Sequence, residues 1–432
     1  MKMMQKLEKA YDLLRTQAWQ EASVVFEAVL ALEPHSVLAR RGLGTAEMMQ
    51  EKYASAKLIW SALLQEALED KAKTESYFAL GSIAYQEKNF SLAIQYLLEV
   101  CRIYPTDIEA TRQIAWAYIE IKEYETALKW CEKLMALSVD KQAVFYNKGV
   151  VLMHLSRWSE AIQSFEQVMM GGVNYLNAQL NLAFLSLKLN KISEGIAYYQ
   201  SVLNISPAHP IAQYQLSALL SEKNCIKAPC EFISTLYDAY AENYDNEMKS
   251  QLNYQVPYLF LNVIRDCVGV KKANWVSLDL GCGTGLAAEI LKDFSEDIIG
   301  VDISEKMLAI AKNKNCYTEL WLGDMLSFFD KNERKFDLIY AADSLIYRGD
   351  LKPLFEKIQS ALESGGLFVF SVEKTNENNF FLQKTGRFSH NKEYVRHVLC
   401  ASGLTVMACR DLTLRDQGGQ AVEGEIWLAS KE

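Results

Sequence analysis

Proline is scarce in this chain, with 7 among 432 residues, and glycine reaches only 21. That supply is too thin for collagenous or Pro/Gly-rich disordered stretches, so no long linker is expected. Long apolar runs are missing as well. Lys, Arg, Asp or Glu interrupts every hydrophobic stretch before it could cross a bilayer, and residues 1–15 read as an amphipathic helix rather than a signal peptide. The nine cysteines contain no CxxC pair and are scattered as buried thiols are, which argues against a disulfide framework or a metal site. Positive charge is not in surplus either. With 45 Lys and Arg against 54 Asp and Glu, the net charge of −9 disfavours a surface built to grip phosphates. These absences leave a soluble, cytoplasmic protein with no membrane, nucleic-acid or metal partner as the expectation, and the length implies two or three domains.

What the first half does have is internal repetition. Ala22, Ala56, Ala93, Ala127, Ala161 and Gly195 follow one another at spacings of 34, 37, 34, 34 and 34. Four residues after each stands a larger side chain (Phe26, Trp60, Leu97, Cys131, Phe165, Tyr199), and seven after each an aliphatic one (Val29, Leu63, Val100, Leu134, Val168, Val202). Those offsets share one helix face. Gly44, Gly81, Ala115 and Gly149 lie twelve residues upstream of their small partners, and Pro34, Pro105 and Pro207 fall twelve downstream of theirs, where a helix has just ended. This pattern resembles the tetratricopeptide repeat, with six units and a capping helix in residues 1–224.

The resemblance implies a solenoid of helix pairs with one wall open to a protein or peptide partner. Its wall positions are Phe78, Tyr85, Arg112, Trp116, Tyr146, Val150 and Phe184, with Asn147 and Asn181 placed to bond an extended backbone. Each of these can equally be inter-repeat core.

After Asn224 the period stops, and short apolar strands alternate with helices, as in a parallel sheet. Seven strands are expected, at 275–280, 298–302, 320–322, 336–341, 367–372, 405–411 and 424–430, with a helix over 286–294. The first strand runs into Asp279, Gly281, Cys282, Gly283 and Gly285. Glycines there permit a tight turn and a close backbone approach to a ligand. Asp302 closes the next strand 21 residues after Gly281, where a carboxylate accepts both ribose hydroxyls. A dinucleotide fingerprint would require a third glycine where Leu286 stands, which disfavours a nicotinamide-dependent oxidoreductase.

The GxGxG loop with the preceding acid closely resembles the first motif of class I methyltransferases. Leu322-Gly323-Asp324-Met325, Phe336-Asp337-Leu338-Ile339 with Ala341-Ala342-Asp343, and Gly365-Gly366 before Leu367 resemble the later motifs in order. Residues 236–245 resemble the lid of bacterial methyltransferases that carry tetratricopeptide repeats, a group often named with trans-aconitate methyltransferases. The fold implied is a Rossmann-like α/β domain over 258–432 with a mostly parallel seven-stranded sheet, preceded by a linker and lid at 225–257. The cofactor implied is S-adenosylmethionine. Residues implied to hold it are Tyr237, Tyr244, Asp279, Gly281, Cys282, Gly283, Gly285, Asp302, Ile303, Met307, Asp324, Met325 and Ala341. Asp324 would meet the adenine amine.

Methyl transfer from a sulfonium depends mainly on alignment and a dry pocket. Asp343, Tyr347 and His390 are the catalytic candidates. Tyr240 and Arg387 are the acceptor-binding ones, with Arg387 suited to a carboxylate. No Asn/Asp-Pro-Pro-aromatic run follows the fourth strand, which disfavours a nucleobase amine as acceptor. The expected activity is methylation of a small carboxylate metabolite or of a protein recruited by the repeats. The competing expectation is an interaction scaffold whose methyltransferase-like module is regulatory or inactive.

Overall fold

A computed structural model describes residues 2–138, 141–172, 174–222, 224–248, 254–269, 274–292, 294–417 and 420–432. The chain divides into two compact units, residues 1–191 and 192–432. None of the helices among the described residues is long and apolar enough to cross a membrane.

The first unit is a succession of helices, beginning Lys2–Arg15, Trp19–Leu30, Val37–Met49 and Tyr53–Glu66 and ending at Tyr175–Lys188. The small residues Ala22, Ala56, Ala93, Ala127 and Ala161 are all fully buried. A side chain added to the upstream glycines would collide with the large residue of the next helix: a Cβ on Gly44 would stand 2.7 Å from Trp60, on Gly81 2.8 Å from Leu97, and on Gly149 2.6 Å from Phe165. Small opposite large is therefore the condition for close helix contact here. The turn within each pair is made by a non-glycine residue in the left-handed region, at Gln17, Glu51, Lys88, Lys122, Ser156 and Asn190, spaced as the small residues are.

The sequence period runs on to Pro207, but the division by packing falls earlier. Helix Pro210–Leu220 contributes Tyr214 and Ala218 to an apolar cluster with Tyr347, Leu382 and Phe388, all in the second unit. That attachment draws the helix before it, Ile192–Ile205, into the same unit.

The second unit holds nine strands among its described residues: β1 Trp275–Leu280, β2 Ser295–Asp302, β3 Glu319–Leu322, β4 Phe336–Ala341, β5 Leu362–Lys374, β6 Phe380–Leu382, β7 Phe388–His390, β8 Leu404–Gln417 and β9 Gln420–Lys431. Their order is β3-β2-β1-β4-β5-β7-β6, with β9 antiparallel between β5 and β8. Strands β3, β2, β1, β4 and β5 are mutually parallel. Side chains alternate between two buried faces. Leu278, Leu280, Ile299, Val301, Ile339, Phe368 and Phe370 pack on one. Ile298, Leu338, Tyr340, Leu367 and Val369 pack on the other, against Phe260 of helix Val256–Val268.

The expected helix over 286–294 shrinks to Ala288–Leu291. Phe294 is drawn out of it because its carbonyl accepts from Trp275 N (3.1 Å), and β2 starts at Ser295, earlier than expected. Two strands were not expected, β6 and β7. They are three residues each, too short for an alternation to register.

The direction of chain winding reverses between β1 and β4, and such a point opens a crevice at the carboxyl ends of the strands. It sets the glycine turn after β1 beside residues 342–344 after β4.

Gly149→Val should destabilise the first unit by about 1–3 kcal/mol through overpacking against Phe165. Urea unfolding followed by helical circular dichroism checks this, with exposed Lys129→Ala as the control expected to change far less.

Candidate functional site

Gly281, Gly283 and Gly285 all take positive φ, at 75°, 55° and 84°. Their surroundings differ. A Cβ on Gly281 would stand 2.4 Å from Ser344, and one on Gly285 2.9 Å from Tyr317, so both positions are needed for packing. One on Gly283 would meet only Tyr244, at 3.9 Å, and would project into open space. That space is the pocket.

The turn is fixed from β2. Val301 O accepts from Gly281 N (2.8 Å) and Cys282 N (3.0 Å). Asp302 Oδ2 accepts from Gly283 N and Oδ1 from Ser304 N, each at 2.8 Å. Burial pushes the Asp302 carboxyl above its usual range, and those backbone donors oppose the shift.

The pocket, about 760 Å³ including its mouth, is lined by Gly281, Gly283, Val301, Asp302, Ile303, Gly323, Asp324 and Met325 on one side. Ala342, Asp343, Ser344, Tyr347, Arg348, Tyr244, Tyr237, Ile233, Ala228 and Lys227 complete it.

Helix Cys230–Tyr240 and the turn after it are fastened to the sheet by two carboxylates. Asp238 Oδ1 accepts from Ser304 Oγ (2.5 Å) and Lys306 N (3.2 Å) at the start of helix Glu305–Asn313. Asp245 accepts from Thr284 Oγ1 of the glycine turn and from Lys314 Nζ (2.6 Å). Upstream, Ala228 N donates to Tyr347 O (2.9 Å) and Gly349 N to Ile226 O (2.7 Å). The lid resemblance covers this segment, these two aspartates included, but gives them no role.

Of the expected site residues, Tyr237, Tyr244, Gly281, Gly283, Asp302, Ile303, Asp324, Met325, Asp343 and Tyr347 line the pocket together. The rest do not. Asp279 is buried beneath the turn, accepting from Tyr317 OH (2.8 Å), and burial pushes its carboxyl up to about 7. Cys282, Met307 and Ala341 are buried in packing, Gly285 backs onto Tyr317, and Tyr240 is 41% exposed.

His390 also lies off the pocket lining. It is fully buried in β7, where Nε2 donates to Arg348 O (2.8 Å) and Gly349 O (3.2 Å). Both partners are acceptors, so Nε2 carries the proton, and burial lowers the ring's pKa to about 4. The expectation that His390 acts on a reacting group is thereby corrected to a supporting role, because its proton is committed to the 348–349 backbone. Asp343 is constrained differently. It stands in the left-handed region (φ 52°), and both its oxygens accept from Arg415 Nη1 at 2.7 Å. Arg415 also pairs with Glu373, which accepts from Gln383 Nε2 (3.0 Å) and lies 3.9 Å from Arg387. Arg387 is not on the lining.

Residues 278–366 match the family described as methyltransferase domain. The second unit carries an S-adenosylmethionine-dependent methyltransferase domain. Residues 7–59, 74–107 and 176–209 match tetratricopeptide repeats. The methyltransferase domain is similar to the malonyl-[acyl-carrier protein] O-methyltransferase of Hamiltonella defensa, 27% identical over 140 residues, 32% of this chain and 51% of that protein. It is also similar to a putative methyltransferase of Geobacillus, 29% identical over 172 residues, 38% of this chain and 67% of that one. The ubiquinone biosynthesis O-methyltransferase of Coxiella burnetii is 27% identical over 125 residues, 28% of this chain and 51% of that protein. The chain thus spans about half to two thirds of the length of these curated relatives.

The pocket fits the cofactor of such a domain. Gly283 leaves open the space that a Cβ would take, and Asp302 and Asp324 stand at consecutive strand ends facing it.

Two outcomes are expected. Asp302→Ala removes the tie between turn and strand and should weaken S-adenosylhomocysteine binding roughly a hundredfold in calorimetry, with the first unit's unfolding unchanged. For His390, a folded pKa depressed to about 4 means that the unfolded chain binds the extra proton between about pH 6.5 and 4. Stability contributed by the neutral ring is therefore present above pH 6.5 and is lost, on the order of 3 kcal/mol, as the pH falls toward 4. His390→Gln should flatten that part of the pH–stability curve in denaturant titrations.

Proposed function

We propose that this protein transfers the methyl group of S-adenosylmethionine to a small carboxylate acceptor enclosed beneath helix Cys230–Tyr240, while the repeat unit holds a protein partner. The glycine turn would hold the amino-acid end of the cofactor, Asp302 the ribose hydroxyls, Asp324 the adenine amine, and Met325 one face of the ring. When bound, the cofactor supplies an electrophilic methyl on a positively charged sulfur.

The observation that carries the choice of acceptor is the state of the groups facing it. Asp343 is committed to Arg415. Burial holds the Tyr237 and Tyr244 hydroxyls well above their usual pKa, so they are neutral and donate hydrogen bonds rather than take protons. An acceptor that must lose a proton would find little help in such a wall. A carboxylate arrives already ionised, and Tyr237 and Tyr347, whose hydroxyls lie 3.3 Å apart, can orient it. Arg387, three-quarters buried beside Glu373, would supply the opposite charge. This agrees with the lid's resemblance to the trans-aconitate methyltransferase group. The three tyrosines also exclude water, which favours loss of charge from sulfur as the methyl leaves.

For the repeat unit, Phe184 is 44% exposed and Arg112 lies over the Trp116 ring, leaving aromatic and charged surface for a peptide.

Incubation with labelled donor and a panel of small di- and tricarboxylic acids should yield base-labile label in small esters. Arg387→Gln should raise the KM for the acid about tenfold, consistent with loss of one charge-assisted contact, and leave S-adenosylhomocysteine affinity within about twofold. Label entering only macromolecules of a cell lysate would overturn the small-acid reading.

A further inference from the structure

Arg348 is fastened through both its side chain and its backbone, and neither the sequence motifs nor methyl transfer itself accounts for it. Its side chain is 10% exposed, and Nη2 donates to Asp324 Oδ2 at 2.6 Å. Its backbone is held from two directions. The carbonyl accepts from the buried His390 ring, and the residue forms an isolated antiparallel bridge with Lys227. Asp324 has its other oxygen, Oδ1, engaged by Leu326 N (3.0 Å) at the start of helix Met325–Lys331.

A carboxylate so held cannot rotate. An ionised carboxylate offers acceptors only, and the guanidinium fixes where they stand. Asp324, whose Oδ2 also lies 3.9 Å from Cys230 Sγ, lines the pocket together with Gly323 and Met325.

We infer that Arg348 is a positioning residue that holds the Asp324 carboxylate in one orientation and so makes the site select a 6-amino purine over a 6-oxo purine nucleoside. This rests on the proposed reading that the adenine of the cofactor meets Asp324. The exocyclic amine donates into the free lone pairs. A 6-oxo group presents an acceptor to an acceptor and leaves both unpaired, which a desolvated site penalises strongly. Without the guanidinium, Asp324 can turn away, which costs the amine its partner and costs the oxo group nothing. The discrimination therefore resides in Arg348, which need not touch the base.

The test is calorimetric binding of S-adenosylhomocysteine and S-inosylhomocysteine to the full chain and to Arg348→Met and Arg348→Lys. The wild type should prefer the adenosyl compound by at least about tenfold, the loss expected for one charge-assisted bond. Arg348→Met should bring the ratio below about threefold, with the inosyl compound binding no worse than before. Arg348→Lys, which keeps charge but loses the planar fork, should fall between and also serves if the Met variant does not fold. Equal weakening of both ligands in the variants would make Arg348 structural and overturn the inference, as would an unchanged ratio. Failure of the wild type to bind either compound would instead remove the cofactor reading on which the inference depends.

Discussion

One carboxylate organises the catalytic half. Asp302, at the end of β2, accepts from Gly283 in the turn after β1 and from Ser304 ahead of the next helix, and so joins three segments. Gly283 presents its N–H for that bond at a positive φ, which glycine adopts without strain. Ser304 passes the constraint on. Its hydroxyl donates to Asp238, which brings the covering helix down over the same turn. Floor and roof of the pocket thus meet through a chain of short polar contacts, each dependent on the parallel pairing of β1 with β2.

The two units use opposite means of achieving close approach. In the repeats, a glycine or alanine is matched against Phe, Trp or Leu on the neighbouring helix, and the periodicity of the match is the fold. Across the sheet, two apolar faces alternate residue by residue, interrupted by buried polar groups such as Ser277, Ser371 and Glu425 and by one buried ionic cluster. The division of labour follows. Regular packing gives the first unit a surface that can vary without consequence for its core, whereas the second must keep a few polar groups in fixed register.

Much of this is legible in the sequence wherever a pattern repeats or a spacing is dictated by close contact. The small and large positions of the repeats, the five parallel strands, the glycine turn and Asp302 all belong to that class. What escapes is long-range. Arg415 pairs with Asp343 across 72 positions, and it points inward only because a bulge between Thr413 and Arg415 buries both Leu414 and Arg415, against the strand's alternation. His390 looks like a catalytic base in sequence because a lone histidine near a motif carries no sign of its burial. Asp238 and Asp245 resemble ordinary exposed acids until the covering helix is seen to cap another helix and clasp the turn.

The ion cluster of Asp343, Arg415 and Glu373 binds the pocket's far wall to the terminal β8–β9 hairpin. Removing Arg415 would leave Asp343 and Glu373 without their shared partner in a nearly dry interior, a loss far larger than the intact cluster's net contribution. These three positions must therefore drift in concert or not at all. A lineage seeking a differently charged acceptor would find this wall closed to stepwise change, and would have to explore novelty through the tyrosines and Arg387 instead.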